Sequence, residues 1–274
     1  MQVYRGLDIG TAKPPSDLLT AIPHHLLDIL HPAEQFDVGQ FVARARALIA
    51  EISSRGVLPV VAGGTGYYLK HLLFGLPQAP PSQAAVRDRL QRQLESNGLA
   101  ALRARLRSCD PQTAARTADS DVYRTLRALE VFEQTGQPLS QFALHGGMGE
   151  AGALVVELCR SRDELAGRIS DRVGRMFSAG LRREAQGLAE SGCTSDWPAR
   201  QAIGYREFFR TDGSLRPPSE DAQIRQEIES ATRRYAKRQR TFANQFPQRI
   251  RLHAEALSTL EVVAEALLRC LDSA

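Results

Sequence analysis

LPVVAGGTGYYLK, residues 58–70, joins a short apolar run to a glycine-rich turn, and the turn to a helical pattern. Leu58, Val60, Val61 and Ala62 make the run, and Gly63-Gly64-Thr65-Gly66 make the turn. Tyr68, Leu69, Leu72 and Leu73 recur beyond it at helical spacing. The pattern predicts a buried parallel strand bending tightly into a helix. Ligands of open α/β sheets sit outside the carboxyl ends of such strands. Glycine there lets a ligand or a second backbone come close. Thr65 is the one side chain of the turn able to donate or accept a hydrogen bond. A tight connection holding no ligand would carry the same glycines, so the turn is suggestive without being specific.

Upstream, residues 36–53 carry Phe41, Ala45, Leu48, Ile49 and Ile52 on one helical face. Before them PHHLLDIL, residues 23–30, reads as a strand. Strand, helix and strand in that order predict a βαβ unit and a parallel sheet. His24 and His25 have no third ligand at metal spacing and are read as structural. Residues 1–4 look like the end of a further strand, and residues 6–14 form a loop punctuated by glycine and proline.

Downstream, PQAPPS at residues 77–82 marks a break. Val86, Leu90 and Leu94 then indicate one short helix, and Leu99, Leu102 and Leu106 another. Arg87, Arg89, Arg92, Arg103, Arg105 and Arg107 run among them. These residues predict an all-helical insertion over 79–145 with a basic face, set into an α/β body of residues 1–78 and 146–274. A solvated arginine-rich helix surface has the same composition. Residues 119–131 follow as a helix with Asp119, Ser120 and Asp121 as capping candidates. Val122, Leu126 and Leu129 are its buried stripe, with Tyr123, Arg124 and Arg127 on its other flanks.

The glycine-rich residues 145–152 read as a mobile loop and residues 153–158 as a strand. Leu165, Ile169, Val173, Phe177 and Leu181 step by four, which predicts one long helix. Residues 224–245 form a helix on which Arg234, Lys237, Arg238 and Thr241 share a face. Ile250 and Leu252 suggest a closing strand, and residues 257–271 a last amphipathic helix.

A chain of 274 residues suits one large domain or a domain with a sizeable insertion. Its 43% hydrophobic and 24% charged residues are ordinary for a globular protein. No apolar run approaches the ~20 residues of a membrane span, and MQVYRGLDIG is unlike a secretory signal. Cys109, Cys159, Cys193 and Cys270 are widely separated. Reduced thiols in a cytoplasmic protein are expected, with neither a disulfide framework nor a zinc site. The net charge of +4 is mild, so the clustering of arginines matters more than their total.

Two basic helical faces suggest a phosphate-rich partner. Tyr123, Tyr205, Tyr235 and Phe242 are candidates to stack on unpaired bases, although aromatics at helical spacing also fill cores. No Ser/His/Asp or Cys/His order stands out, and no carboxylate pair can be assigned acid and base roles.

QVYRGLDIGTAKP, PHHLLDI, GGTGYYLK, RALEV with TGQPLS, QAIGYREF and TRRYAKRQ occur in one order along the chain. As a set they closely resemble the bacterial tRNA dimethylallyltransferase family, over essentially the whole length. The resemblance implies a P-loop NTPase-like parallel sheet flanked by helices, with a helical insertion binding the tRNA anticodon stem-loop. It implies transfer of a dimethylallyl group from dimethylallyl diphosphate to N6 of adenine 37 in tRNA, with Mg²⁺, by a protein expected to be monomeric.

By the same resemblance, Gln2 would contact the flipped-out adenine and Thr65 would lie at the tRNA. Arg87, Tyr123, Arg124 and Arg127 match positions that hold the anticodon arm. Gln201, Gly204, Tyr205 and Arg206 match one further RNA-contacting segment, and Lys237, Arg238, Gln239 and Thr241 another. Tyr123 stands where many relatives have Gln, which leaves stacking as an alternative to a base hydrogen bond. The usual Thr-Trp-Phe-Arg after KRQ reads Thr241-Phe242-Ala243-Asn244 here. The chemistry agrees: adenine N6 is a poor nucleophile, so it needs an acceptor at the amino group and cations on the departing diphosphate. The base must also leave its stack.

Relatives place a strand, a phosphate loop ending Gly-Lys-Ser/Thr, a helix and a strand ending Asp-Ser ahead of the position of Met1. No G-x-x-x-x-G-K-[ST] occurs in residues 1–274. The fold is therefore expected without its N-terminal strand and P-loop. No catalytic residue is assigned within the chain, and its metal ligands stay unknown. The leading expectation is a tRNA dimethylallyltransferase whose gene product starts further upstream, the 274 residues alone being inactive. The alternative is a catalytically dead remnant that only binds tRNA.

Overall fold

The computed structural model of the chain describes residues 1–147, 153–246 and 248–254. They divide into two units, residues 1–70 with 151–274 and residues 71–150. In the first unit Pro14-Pro15 leads into α1 (Ser16–Ala21), which buries none of its residues. α2 (Val38–Ser54) starts where the Asp37 carboxylate accepts from Gln40 N at 2.8 Å, which satisfies one of the orphan donors of its first turn. α3 (Gly66–Phe74) begins at the glycine turn, with Thr65 O accepting from Tyr68 N and Leu69 N. Phe41 stacks on Tyr68 with ring centroids 4.8 Å apart, and Tyr68 donates its hydroxyl to Phe36 O at 3.0 Å.

The second unit is built mainly from helices. β1 (Gly75–Pro77) precedes α4 (Ala84–Cys109), in which Gly98 at φ +73° joins the two shorter helices expected there. α5 (Pro111–Arg116) is capped by Asp110, and α6 (Val122–Thr135) by Asp121, which accepts from Arg124 N at 3.0 Å. Leu90, Leu106, Leu126 and Leu129 are buried together with Val86, Leu102 and Ala114. Each fully buried leucine contributes about 1.5–3 kcal/mol. β2 (Leu144–Gly146) returns antiparallel to β1, with Leu76 opposite His145.

The chain then resumes the first unit with β3 (Val156–Cys159) and α7 (Arg162–Ser178). Gly180, at φ +102°, breaks the expected long helix and starts α8 (Leu181–Glu190). The seam nevertheless holds, because Ile169, Val173 and Leu181 enter one core with Tyr4, Leu7, Tyr205 and Phe208. α9 (Asp221–Ala243) adds Ile224 and Ile228 to that core. β4 (Ile250–His253) closes the described chain, running parallel to β3 with Val156 opposite Ile250.

Three expectations need correction. Residues 58–62 form no strand: Leu58, Val60 and Val61 are exposed, Val60 to 73%, and no described strand pairs with them. A strand exists only through a neighbour that takes up its N–H and C=O groups, so an apolar, β-prone run with none beside it stays irregular. PHHLLDIL contributes a single parallel bridge, Tyr4 to Leu30. Leu26 and Asp28 there adopt φ of +61° and +52°, outside the range of a strand. Parallel pairing among the described residues is thus that bridge and the β3–β4 pair. Of the expected loop at 145–152, residues 145 and 146 lie in β2 and residues 148–152 fall outside the described residues, as does the helix expected at 257–271.

Candidate functional site

The glycine turn lies directly on α9. Gly64 O accepts from Gln239 Nε2 at 3.1 Å and lies 3.5 Å from the Tyr235 hydroxyl. A Cβ on Gly64 would fall 1.7 Å from Gln239 Nε2, and one on Gly66 would fall 2.3 Å from the Phe242 ring. Gly64 and Gly66 are therefore explained by close approach to a helix, while a Cβ on Gly63 would meet nothing within 4 Å. Thr65 is exposed at this junction. Lys237, Arg238 and Thr241 are exposed on the same helix, with the Arg238 guanidinium 5.7 Å from the Tyr235 ring centroid. No described carboxylate forms an ion pair with Lys237 or Arg238. Their charge is available to a polyanion.

A second cluster gathers Gln2 and residues 201–206. Gln2 Nε2 donates to Thr11 O at 3.2 Å and Ala12 O at 2.9 Å, which ties it to the loop of residues 8–13. Gly10 in that loop faces the Tyr205 ring so closely that a Cβ would fall 2.6 Å from it. Gly204, at φ +97°, lies against the backbone of Gly10. Gln201 is exposed and donates to Ser195 O at 2.7 Å, and Arg206 is exposed with its Nε 2.9 Å from Glu207 Oε1. Tyr205 does not serve as a stacking platform. It is fully buried, its hydroxyl donates to Glu184 Oε1 at 2.5 Å, and burial together with that carboxylate pushes its pKa far up.

The second unit brings its own residues together. The Arg87 guanidinium sits 5.1 Å from the centroid of the Tyr123 ring, which is exposed. Arg127 Nη1 is 3.1 Å from Glu130 Oε2, and Arg87 Nη1 is 3.8 Å from the same oxygen. Glu130 is fully buried and also accepts from Ser82 Oγ and Gln83 N. Arg124 is exposed, 3.4 Å from Asp121.

The arginine run is otherwise largely structural. Arg103 is buried and donates to Ala114 O, Thr117 O and Asp119. Arg89 and Arg105 both pair with Glu133. A row of arginines in sequence does not show which carboxylates the fold will set against them. Glu184 and Glu130 gave no signal in the sequence either, because the backbone N–H groups that Glu184 accepts from lie 174–176 residues away, and Ser82 and Gln83 lie 47–48 residues from Glu130.

Among the described residues no three His, Cys, Asp or Glu side chains come together as a metal cage, and no helix is long and apolar enough to cross a membrane. A family model for IPP transferase matches residues 2–246. The chain is 43% identical over 249 residues to tRNA dimethylallyltransferase 1 of Trichlorobacter lovleyi, covering 90% of this chain and 81% of that one. It is 44% identical over 255 residues to the tRNA dimethylallyltransferase of Geobacillus kaustophilus, covering 90% and 78%. Among solved structures it is similar to a tRNA isopentenylpyrophosphate transferase from Staphylococcus epidermidis, with TM-score 0.65 and 31% identity over all of this chain and 88% of that one. A eukaryotic dimethylallyltransferase acting on tRNA superposes with TM-score 0.81 at 25% identity, over all of this chain and 71% of that one.

Proposed function

This chain belongs to the IPP transferase family, that of the tRNA dimethylallyltransferases, and from that premise we propose how its residues divide the work. The reaction is transfer of a dimethylallyl group from dimethylallyl diphosphate to N6 of adenine 37 in tRNA. Residues 1–274 supply the tRNA side of it. The observation that supports this reading is the seating of the glycine turn on α9 through Gln239, which sets exposed Thr65 beside the helix that also carries exposed Lys237, Arg238 and Thr241. Lys237 and Arg238 take backbone phosphates, and Thr65 lies at the modified nucleotide. Gln2 meets the extruded adenine, with residues 201–206 behind it. In the helical insertion, Arg87, Tyr123, Arg124 and Arg127 hold the anticodon arm of one tRNA per protein monomer.

The diphosphate side needs a phosphate cradle, and none of residues 1–274 forms a Gly-Lys-Ser/Thr loop. The exposed apolar residues 58–62, without a neighbouring strand, support the view that the sheet's phosphate-loop strand is not among these residues. Mg²⁺ is typically held by one or two carboxylates together with substrate phosphates. Among the described residues no three His, Cys, Asp or Glu side chains come together, and the Mg²⁺ ligands are not assigned within this chain. We therefore expect residues 1–274 by themselves to bind tRNA without transferring the prenyl group.

The test supplies labelled dimethylallyl diphosphate, Mg²⁺ and unmodified tRNA carrying adenine 37 to the purified chain, with tRNA binding read in parallel. Binding without transfer is the expected result. Transfer would show that the phosphate loop is dispensable. Absence of both would remove the proposed RNA surface.

A further inference from the structure

Three consecutive backbone N–H groups, those of Asp8, Ile9 and Gly10, converge on one carboxylate, that of Glu184 on α8. Oε2 accepts from Asp8 N at 2.7 Å and from Ile9 N at 2.9 Å. Oε1 accepts from Ile9 N at 3.1 Å, from Gly10 N at 3.0 Å and from the Tyr205 hydroxyl at 2.5 Å. Successive N–H groups turned to one point make an anion-binding concavity; here the chain fills it with its own side chain. Bonds to an ionised acceptor are the strong ones, so Glu184 is the main anchor of this side of the loop. Lys13 pins the other side, its Nζ 2.7 Å from Tyr4 O and 2.6 Å from Asp8 Oδ1. Immediately beyond Gly10, the same loop presents the carbonyls of Thr11 and Ala12 to Gln2 Nε2. With its donor hydrogens engaged by two carbonyls, the Gln2 amide keeps its oxygen as the acceptor to offer a base. Adenine presents an amino donor at its 6 position and guanine an acceptor oxygen. A fixed amide oxygen therefore favours adenine.

We propose that Glu184 is a positioning residue for adenine selection: its carboxylate holds residues 8–10, and the loop so held orients the Gln2 amide with its oxygen toward the base. The proposal rests on the reading of Gln2 as the residue that meets the adenine. Glu184→Gln keeps size but replaces one acceptor oxygen with a donor that opposes the loop's N–H groups. Glu184→Asp keeps the charge and draws it back by one methylene.

Both variants, Gln2→Ala and the unaltered chain are compared in binding to anticodon stem-loop RNA with adenine or guanine at position 37, and in amide hydrogen exchange. In Glu184→Gln the preference for adenine is expected to fall by about tenfold, the scale of one discriminating hydrogen bond. Affinity for the guanine RNA stays unchanged, because the phosphate contacts remain. Exchange at residues 8–10 accelerates by about tenfold or more while α7 and α9 keep their protection. Glu184→Asp falls between Glu184→Gln and the unaltered chain. Loss of affinity for both RNAs in equal measure, or unchanged exchange at residues 8–10, would overturn the proposal. If Gln2→Ala keeps the adenine preference, the reading of Gln2 fails, and the positioning role with it. If Gln2→Ala loses the preference while Glu184→Gln keeps it, the positioning role alone is refuted.

Discussion

Single side chains at the glycine turn separate folding from binding. Thr65 serves α3 through its backbone carbonyl, which survives substitution, while its side chain is exposed. Thr65→Ala is therefore expected to leave the thermal midpoint within about 2 °C, since exposed substitutions usually stay within ~0.5 kcal/mol, and to weaken tRNA binding. Equal affinity in a filter-binding or anisotropy titration would make Thr65 a structural residue. Gly10→Ala is the opposite case. Its Cβ would fall 2.6 Å from the ring of buried Tyr205, which has no room to retreat. Overpacking of this kind costs about 1–3 kcal/mol, readable as a lowered denaturation midpoint. The glycines at 63–66 were legible in the sequence as a tight turn, but the helix that Gly64 and Gly66 accommodate was not. Gln239 lies 175 residues from Gly64, and no local pattern links them.

At the scale of the element, α9 and the helical insertion make distinct predictions. Lys237 and Arg238 project from α9 without a described acidic partner, so replacing both by Gln removes charge and leaves the core residues Ile224, Ile228 and Ala231 untouched. Affinity for tRNA at low salt falls, and the slope of log K against log[salt] becomes shallower by about 1 per lost phosphate contact. An unchanged slope would take these residues off the RNA surface. The insertion is instead sensitive to acid. Burial by itself would raise the Glu130 carboxyl, but the bonds from Ser82, Arg127 and Gln83 N outweigh it and hold the group below its ordinary value. Glu133, between Arg89 and Arg105, is lowered in the same way against its own burial. So is Asp110, which accepts from Thr113 and Ser140. A carboxyl whose folded value lies below its unfolded one contributes stability above the unfolded value, and that stability is lost as pH falls below it. The insertion should therefore lose stability progressively below about pH 4.5. Glu130→Gln should lower stability at pH 7 by about 3 kcal/mol or more, as breaking a buried pair does, and should flatten the acid limb of thermal midpoint against pH. An acid limb as steep as that of the unaltered chain would show that Glu130 does not titrate with unfolding.

For the whole molecule, the decisive feature is the contrast between well-packed helices and parallel pairing that, among the described residues, amounts to one pair and one bridge. Hydrogen exchange should show it directly. Amides of residues 58–62 should exchange at close to unprotected rates, while those of α4 and α6, packed around Leu90, Leu106, Leu126 and Leu129, should be among the slowest. Strong protection at 58–62 would mean that a strand pairs with them in solution.

The sequence by itself determined most of the longer helices, the cap at Asp121, the β4 segment and the family. These rest on local periodicity, on side chains that reach their own backbone, and on an ordered set of motifs. Tertiary structure alone decided which strands exist, which arginines are spent on internal carboxylates, and that Tyr205 is core while Tyr123 is exposed. Each of these depends on a partner distant in the chain. An apolar run becomes a strand, and an arginine becomes a phosphate ligand, only through what the fold sets or fails to set beside it.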